Sequence, residues 1–223
     1  MTDGTGRSRL VHVIDDEDSV RRSLEFLLRS EGYRVERLSD GESFLGNADK
    51  SAHACLLLDI RMPGLDGLEV QERMAAAGLD FPVIVLTGHG DIDLAVRAMK
   101  AGAVDFLVKP FDREKLLDSL ARGFRKIDDR EALRERADWA RAQLGKLTER
   151  EREVLDGLAC GYPNKTIAYD LGISSRTVEV YRANVMAKLQ VAYFADALRI
   201  AFAAGMGSES RWRAAHDPGP PPS

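Results

Sequence analysis

The stretch CLLLDIRMPGLDG at residues 55–67 decides the fold of this chain. Its apolar residues run directly into Asp59, which predicts a buried strand with a carboxylate at its carboxyl end. Open α/β sheets bind their ligands at that edge. Pro63, Gly64 and Gly67 then turn the chain toward a helix. An aspartate in an exposed loop would fit this stretch equally well, so the role of Asp59 depends on the rest of the chain.

The same alternation of strand and helix fills residues 10–127. Predicted strands lie near 10–14, 33–37, 54–58, 82–86 and 103–107. A helix with apolar residues at i, i+4, i+7 and i+8 follows the first strand, and others are predicted near 41–48, 66–77, 91–101 and 113–127. Five such units specify a flavodoxin-like, doubly wound α/β fold with a five-stranded parallel sheet, helices on both faces and strand order 2-1-3-4-5.

Carboxylates follow two of these strands at the same predicted edge. Asp15 and Asp16 end the first strand and Asp59 ends the third, so all three should project into one crevice. Such a cluster repels itself unless it holds a cation, and oxygen ligands with room for water suit Mg²⁺. Thr87 and Lys109 end two further strands there, and both side chains suit a transferring phosphoryl group.

These residues, together with the motifs LTGHGD and GAVDFLVKPF, closely resemble the two-component receiver domain over about residues 9–127. The resemblance implies a CheY-like fold in which Asp59 accepts a phosphoryl group from a sensor histidine kinase, aided by Lys109 and Thr87. It also implies a cis Lys109-Pro110 peptide bond. The implied ligands of Mg²⁺ or Mn²⁺ are Asp15, Asp16, Asp59 and the backbone carbonyl of Arg61.

The resemblance implies a switch as well. Thr87 should move toward the phosphoryl group and Phe106 should turn inward, which would reshape a face used for dimerisation. Candidate residues of that face are Met99, Lys100, Ala101, Asp105, Phe106 and Arg113. Arg61 and His89 stand where the family tunes access of water, and their size predicts a phosphoryl lifetime of minutes or longer.

The remaining chain is predicted to be helical. Residues 128–146 should form a helical linker, with Leu133, Ala137, Ala140 and Leu144 on one weakly apolar stripe. Thr148 and Glu151 form a capping box that opens the next helix. Asn164 is expected to cap a short helix, the turn 172–174 follows, and a longer helix begins at Ser175. This spacing fits a helix-turn-helix, although an ordinary helical bundle would fit it equally well.

The sequence LTEREREVLDGLACGYPNKTIAYDLGISSRTVEVYRANVMAKL strongly resembles the LuxR-type DNA-binding domain of FixJ-like members of the FixJ/NarL class of response regulators. In a helix-turn-helix the second helix enters the major groove. Candidate base-contacting residues are Ser175, Arg176, Thr177, Glu179, Val180, Arg182, Ala183 and Asn184. Candidate phosphate contacts are Lys165, Thr166, Tyr181 and Lys188, with Tyr181 replacing a histidine common in the family.

These observations predict a receiver at residues 1–127, a linker at 128–146, a LuxR-type domain at 147–206 and a disordered, Pro-, Gly- and Ser-rich tail at 207–223. The chain is 44% hydrophobic and 30% charged, with net charge -4 and two cysteines, which argues against a disulfide framework. Since it contains neither a signal-peptide pattern nor a membrane-spanning apolar run, we expect a cytoplasmic protein without a membrane partner.

The favoured function is a phosphorylation-controlled transcription factor. It would be an activator that dimerises, binds promoter DNA and contacts RNA polymerase, and would not be an enzyme beyond its own phosphoryl uptake and loss. A phosphohydrolase with an aspartyl phosphate is the enzymatic alternative, but such enzymes usually carry an acid at the position of Arg61. A receiver that no longer takes phosphate is a third possibility, which the complete set of acidic residues, Thr87 and Lys109 disfavours.

Overall fold

The computed structural model of the protein describes residues 9–50, 52–88 and 92–216. The chain divides into two compact units, Met1–Arg130 and Glu131–Ser223. The finer boundaries predicted at 127/128 and 146/147 stay a prediction.

The first unit is a five-stranded parallel sheet with strand order β2-β1-β3-β4-β5, which confirms the predicted fold. Most predicted elements match within one or two residues. The strands are β1 (Leu10–Ile14), β2 (Arg34–Leu38), β3 (Ala54–Asp59), β4 (Val83–Thr87) and β5 (Asp105–Val108). The helices are α1 (Asp18–Ser30), α2 (Gly41–Asn47), α3 (Gly67–Ala76), α4 (Ile92–Lys100) and α5 (Arg113–Leu144).

The central strand β3 is buried along its whole length because helices cover both faces of the sheet. Successive side chains of a strand point to opposite faces. Leu56 and Leu58 accordingly pack in one apolar core with residues of α2, α3 and α4, whereas Cys55 and Leu57 pack in a second core with α1 and α5. Two apolar layers thus hold β3 in place, and Asp59 is its last residue.

Helix α5 runs without a break from Arg113 to Leu144, so the predicted linker is helical as far as Leu144. The predicted apolar stripe is only partly used. Ala140 and Leu144 are buried in a core of the second unit, whereas Leu133 is exposed and lies outside that core.

The second unit continues with five helices among the described residues. They are α6 (Glu149–Ala159), α7 (Asn164–Asp170), α8 (Ser175–Leu189), α9 (Phe194–Ala203) and α10 (Glu209–His216). Asn164 was wrongly predicted as the cap of its helix: it is the first helical residue of α7, and the cap position is Pro163, which offers no side-chain hydrogen bond.

The disordered tail predicted for residues 207–223 is wrong over 209–216. These residues form α10, and Trp212 is only 3% exposed because it packs among apolar residues of α6, α7 and α8. Composition alone suggested disorder, but a single large aromatic side chain with a cavity to fill stabilises a short helix. Residues 217–223 lie outside the described part.

Among the described residues, no helix combines the length and the apolar character that crossing a bilayer requires.

Candidate functional site

The carboxyl edge of the sheet brings Asp15, Asp59, Thr87 and Lys109 together. Ile14 pairs with Leu58 in the register of β1 and β3, so the residues that follow, Asp15 and Asp59, are neighbours. Asp15 is fully buried, Asp59 is 6% exposed and Thr87, the last residue of β4, is 2% exposed. The edge predicted from the sequence therefore carries buried polar groups that an ordinary core would exclude.

Lys109 connects the two carboxylates. Its Nζ donates to Oδ2 of Asp15 and to Oδ1 of Asp59, each at 2.6 Å. The Lys109 amide donates to the carbonyl oxygen of Thr87 at 2.7 Å, and the Lys109-Pro110 peptide bond is cis, as the resemblance implied. The ammonium group is thereby held between two buried anions, where its charge offsets their mutual repulsion.

Backbone amides hold the remaining carboxylate oxygens. The amide of Arg61 donates to Oδ2 of Asp59 at 2.8 Å, and the amide of Glu17 donates to Oδ1 of Asp15 at 2.9 Å. Gly67 is required behind Asp59, because a Cβ at Gly67 would lie 2.4 Å from the Asp59 carbonyl oxygen. Both carboxylates are thus fixed in direction before any ligand binds.

The surroundings shift the pKa values of both partners. Burial raises the pKa of Asp59, and the nearby charge of Lys109 only partly offsets this effect. For Lys109 burial acts most strongly and lowers the pKa, but hydrogen bonds and charges from Asp15 and Asp59 together outweigh it and raise the pKa. Lys109 consequently stays protonated at neutral pH and can neutralise negative charge near Asp59.

The predicted cluster of three metal-binding carboxylates is only partly formed. Asp16 is exposed, and no group of three or more His, Cys, Asp or Glu side chains in the described ranges is arranged to hold a metal ion. In this conformation Lys109 Nζ contacts both Asp15 and Asp59, and the use of Asp15, Asp16 and Asp59 as metal ligands stays a prediction. Two carboxylates nevertheless suit Mg²⁺, which usually keeps several waters and binds through one or two carboxylates.

The candidate switch residues Thr87 and Phe106 lie on the neighbouring strands β4 and β5. Thr87 Oγ1 donates to the carbonyl oxygen of Gly88 at 3.3 Å. Phe106 lies on β5 opposite Val85 and is 39% exposed, so its ring is turned outward here. The inward movement of Phe106 stays a prediction, and His89 lies outside the described residues.

The candidate dimerisation residues are at or near the surface of the first unit. Met99 is 39% exposed, and Lys100, Ala101 and Arg113 are also exposed. Two of the six have partners within the chain: Arg113 pairs with Glu31, and Asp105 accepts from Ser119 Oγ at 2.5 Å and pairs with Arg122. Whether this face joins two copies stays a prediction.

In the second unit, α7 and α8 are joined by the tight turn that the sequence predicted. Gly172 has a positive φ of 65°, which suits glycine, and the Ile173 amide donates to the Ala168 carbonyl oxygen at 2.9 Å. Ser174 caps α8 by accepting from the Thr177 amide at 3.1 Å. Helix α8, called the recognition helix below, thus begins at a fixed point.

Most candidate DNA contacts lie on exposed positions. Those exposed are Lys165, Ser175, Arg176, Glu179, Val180, Arg182, Ala183, Asn184 and Lys188, whereas Thr166, Thr177 and Tyr181 are half-buried. Arg176 and Glu179 form a weak ion pair at 3.4 Å. Val180 is 50% exposed, which leaves an apolar side chain open for a partner surface.

Three candidates also have structural contacts that the sequence did not reveal. Lys188 Nζ donates to Oε2 of the buried Glu151 at 2.7 Å, the Arg182 guanidinium lies 4.2 Å from the centre of the Phe194 ring, and Tyr181 packs beside the core that holds Trp212. The capping box signalled a role for Glu151 at its own helix, but only the fold brings it to Lys188.

Comparisons with known proteins agree with this arrangement. Residues 11–121 match the response regulator receiver domain, and residues 145–201 match the bacterial regulatory proteins of the luxR family. The transcriptional regulatory protein FixJ of Azorhizobium caulinodans is 48% identical over 200 residues, covering 88% of this chain and 93% of the relative. FixJ of Rhizobium meliloti is 44% identical over 207 residues, covering 93% and 99%.

Comparison with solved structures also finds response regulators. The response regulator StyR aligns with a TM-score of 0.72 and 42% identity, covering 88% of this chain and 99% of that one. Full-length FixJ from B. japonicum aligns with a TM-score of 0.56 and 42% identity, covering 92% and 98%. The family consists of transcriptional regulators rather than classical enzymes. The chain belongs to the FixJ-like two-component response regulators, with a receiver domain followed by a LuxR-type DNA-binding domain.

Proposed function

We propose that a sensor histidine kinase phosphorylates this protein on Asp59 and that phosphorylation promotes dimerisation and binding to promoter DNA. The observation that carries the proposal is the contact of Lys109 Nζ with both Asp15 and Asp59 at 2.6 Å. A half-buried ammonium between two oriented carboxylates suits the transfer of a highly charged group to one of them.

Each residue of the site has its own role in phosphoryl transfer. Asp59 Oδ1 or Oδ2 attacks phosphorus while the bond to the leaving group breaks in line. Lys109 donates to an oxygen of the transferring group, and Thr87 supplies a hydroxyl on the neighbouring strand. Asp15, Asp59 and the backbone carbonyl of Arg61, with Asp16 beside them, would hold Mg²⁺ or Mn²⁺, which neutralises charge on the phosphoryl oxygens when bound. Apart from this uptake and the later loss of phosphate, the receiver performs no catalysis.

The added phosphoryl group would then compete for Lys109. A phosphoryl group carries about -1.5 to -2 charge at neutral pH, more than either carboxylate. It would draw the Thr87 hydroxyl, and Phe106, now 39% exposed, would turn into the space beside β4. The surface near Met99 and Phe106 would change with it and pair two copies.

Pairing would increase DNA binding, because two LuxR-type domains on one duplex bind with a higher effective concentration than one. The exposed side chains at the start of the recognition helix, including Arg176, Glu179 and Val180, support base contacts in the major groove. We expect the bound dimer to recruit RNA polymerase and to activate transcription. Phosphorylation by a sensor histidine kinase and binding to promoter DNA both favour a cytoplasmic protein.

One experiment tests phosphorylation, dimerisation and DNA binding together. The full-length protein is incubated with acetyl phosphate and Mg²⁺, and its mass in solution and its affinity for duplex DNA are measured by analytical ultracentrifugation and fluorescence anisotropy. We expect a dimer and tighter binding in the wild type and neither change in Asp59→Asn. An unchanged mass and affinity in the phosphorylated wild type would contradict the proposal.

A further inference from the structure

The last helix, α10, lies beyond the part of the chain that matches the luxR family, which ends at residue 201. It is nevertheless part of the second unit's core. Trp212 is 3% exposed and packs with Val154, Ile167 and Val178, which come from α6, α7 and α8. The Trp212 Nε1 donates to Oδ2 of Asp170 at 2.9 Å. The indole ring is thus packed against apolar side chains, and its N–H group has a hydrogen-bond partner.

The rest of the unit is shaped to receive this helix. Gly157 lies in the last turn of α6, and a Cβ there would be 2.7 Å from Trp212 Cη2. The segment leading into α10 is held as well: the Gly207 amide donates to Oδ1 of Asp156 at 2.8 Å, and Gly207 has a positive φ of 84°. A glycine that makes room for an indole and a turn anchored on α6 indicate one specific docked position.

Docking brings the polar side of α10 to the start of α7. A groove of about 370 Å³ is lined by Tyr162, Thr166, Asp170, Trp212, Arg213 and His216. Tyr162 lies two residues before the start of α7, and its hydroxyl donates to Oε1 of Glu209 at 3.3 Å. Arg213 pairs with the same Glu209, and its side chain is 72% exposed.

The position of Arg213 matters because Lys165 and Thr166, at the start of α7, are candidate phosphate contacts. The exposed guanidinium of Arg213 lines the same groove as Thr166, carries a fixed positive charge and can bind phosphate oxygens in two places. Its present partners are the exposed carboxylate of Glu209 and the side chain of Tyr162. Exposed ion pairs of this kind are weak. A phosphate of the DNA backbone can therefore replace Glu209 as the partner of Arg213 with little loss of free energy.

We propose that α10 is an additional DNA-binding element of this chain, in which Trp212 anchors the helix and Arg213 contacts the phosphate backbone next to Thr166. This inference rests on the proposed DNA-binding function and extends it with a contact outside the luxR-family segment. The contact is to phosphate, so it raises affinity for every sequence alike and specifies none.

Salt dependence tests this directly. Binding of the full-length protein to a fluorescein-labelled duplex of mixed sequence is followed by anisotropy over a range of salt concentrations. Each phosphate contact contributes about 0.9 to the slope of log affinity against log salt. Arg213→Gln should weaken binding several-fold at low salt and make the slope less steep by about 0.9, whereas Arg213→Lys should keep the slope.

Arg211 supplies the matched control. It carries the same charge on the same helix but lies two residues earlier, on a different side, where it donates to the carbonyl oxygen of Gly205. Arg211→Gln should leave the slope unchanged. A wild-type slope in Arg213→Gln, an equal change in both glutamine variants, or a reduced slope in Arg213→Lys would overturn the inference alone. Failure of the wild type to bind any duplex would instead overturn the proposed function.

Discussion

The contact between Glu151 and Lys188 should decide how firmly the recognition helix is held. Glu151 is 3% exposed at the start of α6, and its Oε2 accepts from the Thr148 amide at 2.8 Å and from Lys188 Nζ at 2.7 Å. Lys188 belongs to the last turn of α8. One buried carboxylate therefore caps α6 and ties α8 to it, and we expect the two functions to separate by substitution.

Glu151→Gln keeps a side chain that supports a capping box but removes the charge. A hydrogen bond to a charged group contributes about 1.5–3 kcal/mol. Because the Lys188 side chain is 39% exposed, water takes over part of that interaction when Glu151 is replaced. We therefore expect a loss of about 1–2 kcal/mol for Glu151→Gln, and a coupling of about 1 kcal/mol in a double-mutant cycle with Lys188→Met.

Tryptophan fluorescence makes this measurable in the intact chain. The chain has two tryptophans, Trp139 and Trp212, and both lie in the second unit. Urea unfolding followed by their emission thus reports on the unit that contains Glu151 and Lys188. A coupling below about 0.3 kcal/mol, the usual limit of additivity, would refute the argument that the two side chains hold each other.

The same pair predicts a pH dependence. Burial, the strongest single effect on Glu151, raises its pKa, but hydrogen bonds from Lys188 and Thr148 outweigh it and the pKa is lowered. A lowered pKa in the folded state stabilises the protein above the ordinary glutamate value of about 4.3, and this contribution disappears as the pH falls through the folded value. The deficit of Glu151→Gln should be full at pH 7 and vanish in acid.

Two further substitutions test the site and the added helix. Lys109→Met removes the ammonium between Asp15 and Asp59, so phosphorylation by acetyl phosphate should slow by about 10²-fold while circular dichroism shows a folded receiver; an unchanged rate would contradict the assigned role. Gly157→Ala places a Cβ 2.7 Å from Trp212 and should cost about 1–3 kcal/mol in the urea titration, although the same change in an open helix stabilises.

Gly46 in α2 provides the control for Gly157. A Cβ at Gly46 would meet nothing within 4 Å, so Gly46→Ala should be neutral or stabilising by up to about 1 kcal/mol in thermal unfolding. Destabilisation of equal size at both positions would show that the cost at Gly157 does not come from crowding against Trp212 and Ile167.

The receiver was predictable from the sequence because its signals are local and repeated. β1, β3 and β4 are short, mostly apolar runs with a polar residue at or directly after their end, so the order of elements, the edge of the sheet and the position of Asp59 all followed. The metal site was less predictable. Strand ends reveal which residues share an edge, but whether Lys109 or a cation stands between Asp15 and Asp59 depends on distances of a few ångströms.

The second unit shows where sequence reasoning stops. The capping box at Thr148 was visible as a four-residue pattern, whereas the link from Glu151 to Lys188 spans 37 positions and has no sequence signature. Trp212 was missed for a related reason. Its surroundings are rich in Gly, Ser and Pro, and the space that Gly157 leaves for it exists only once α6 and α7 are packed.

The central claim is that Asp59 takes a phosphoryl group. Intact mass measured after incubation with acetyl phosphate and Mg²⁺ tests it most directly. We predict a gain of about 80 Da in the wild type, matching one phosphoryl group, and none in Asp59→Asn. The absence of that gain in the wild type, or its persistence in Asp59→Asn, would contradict the account.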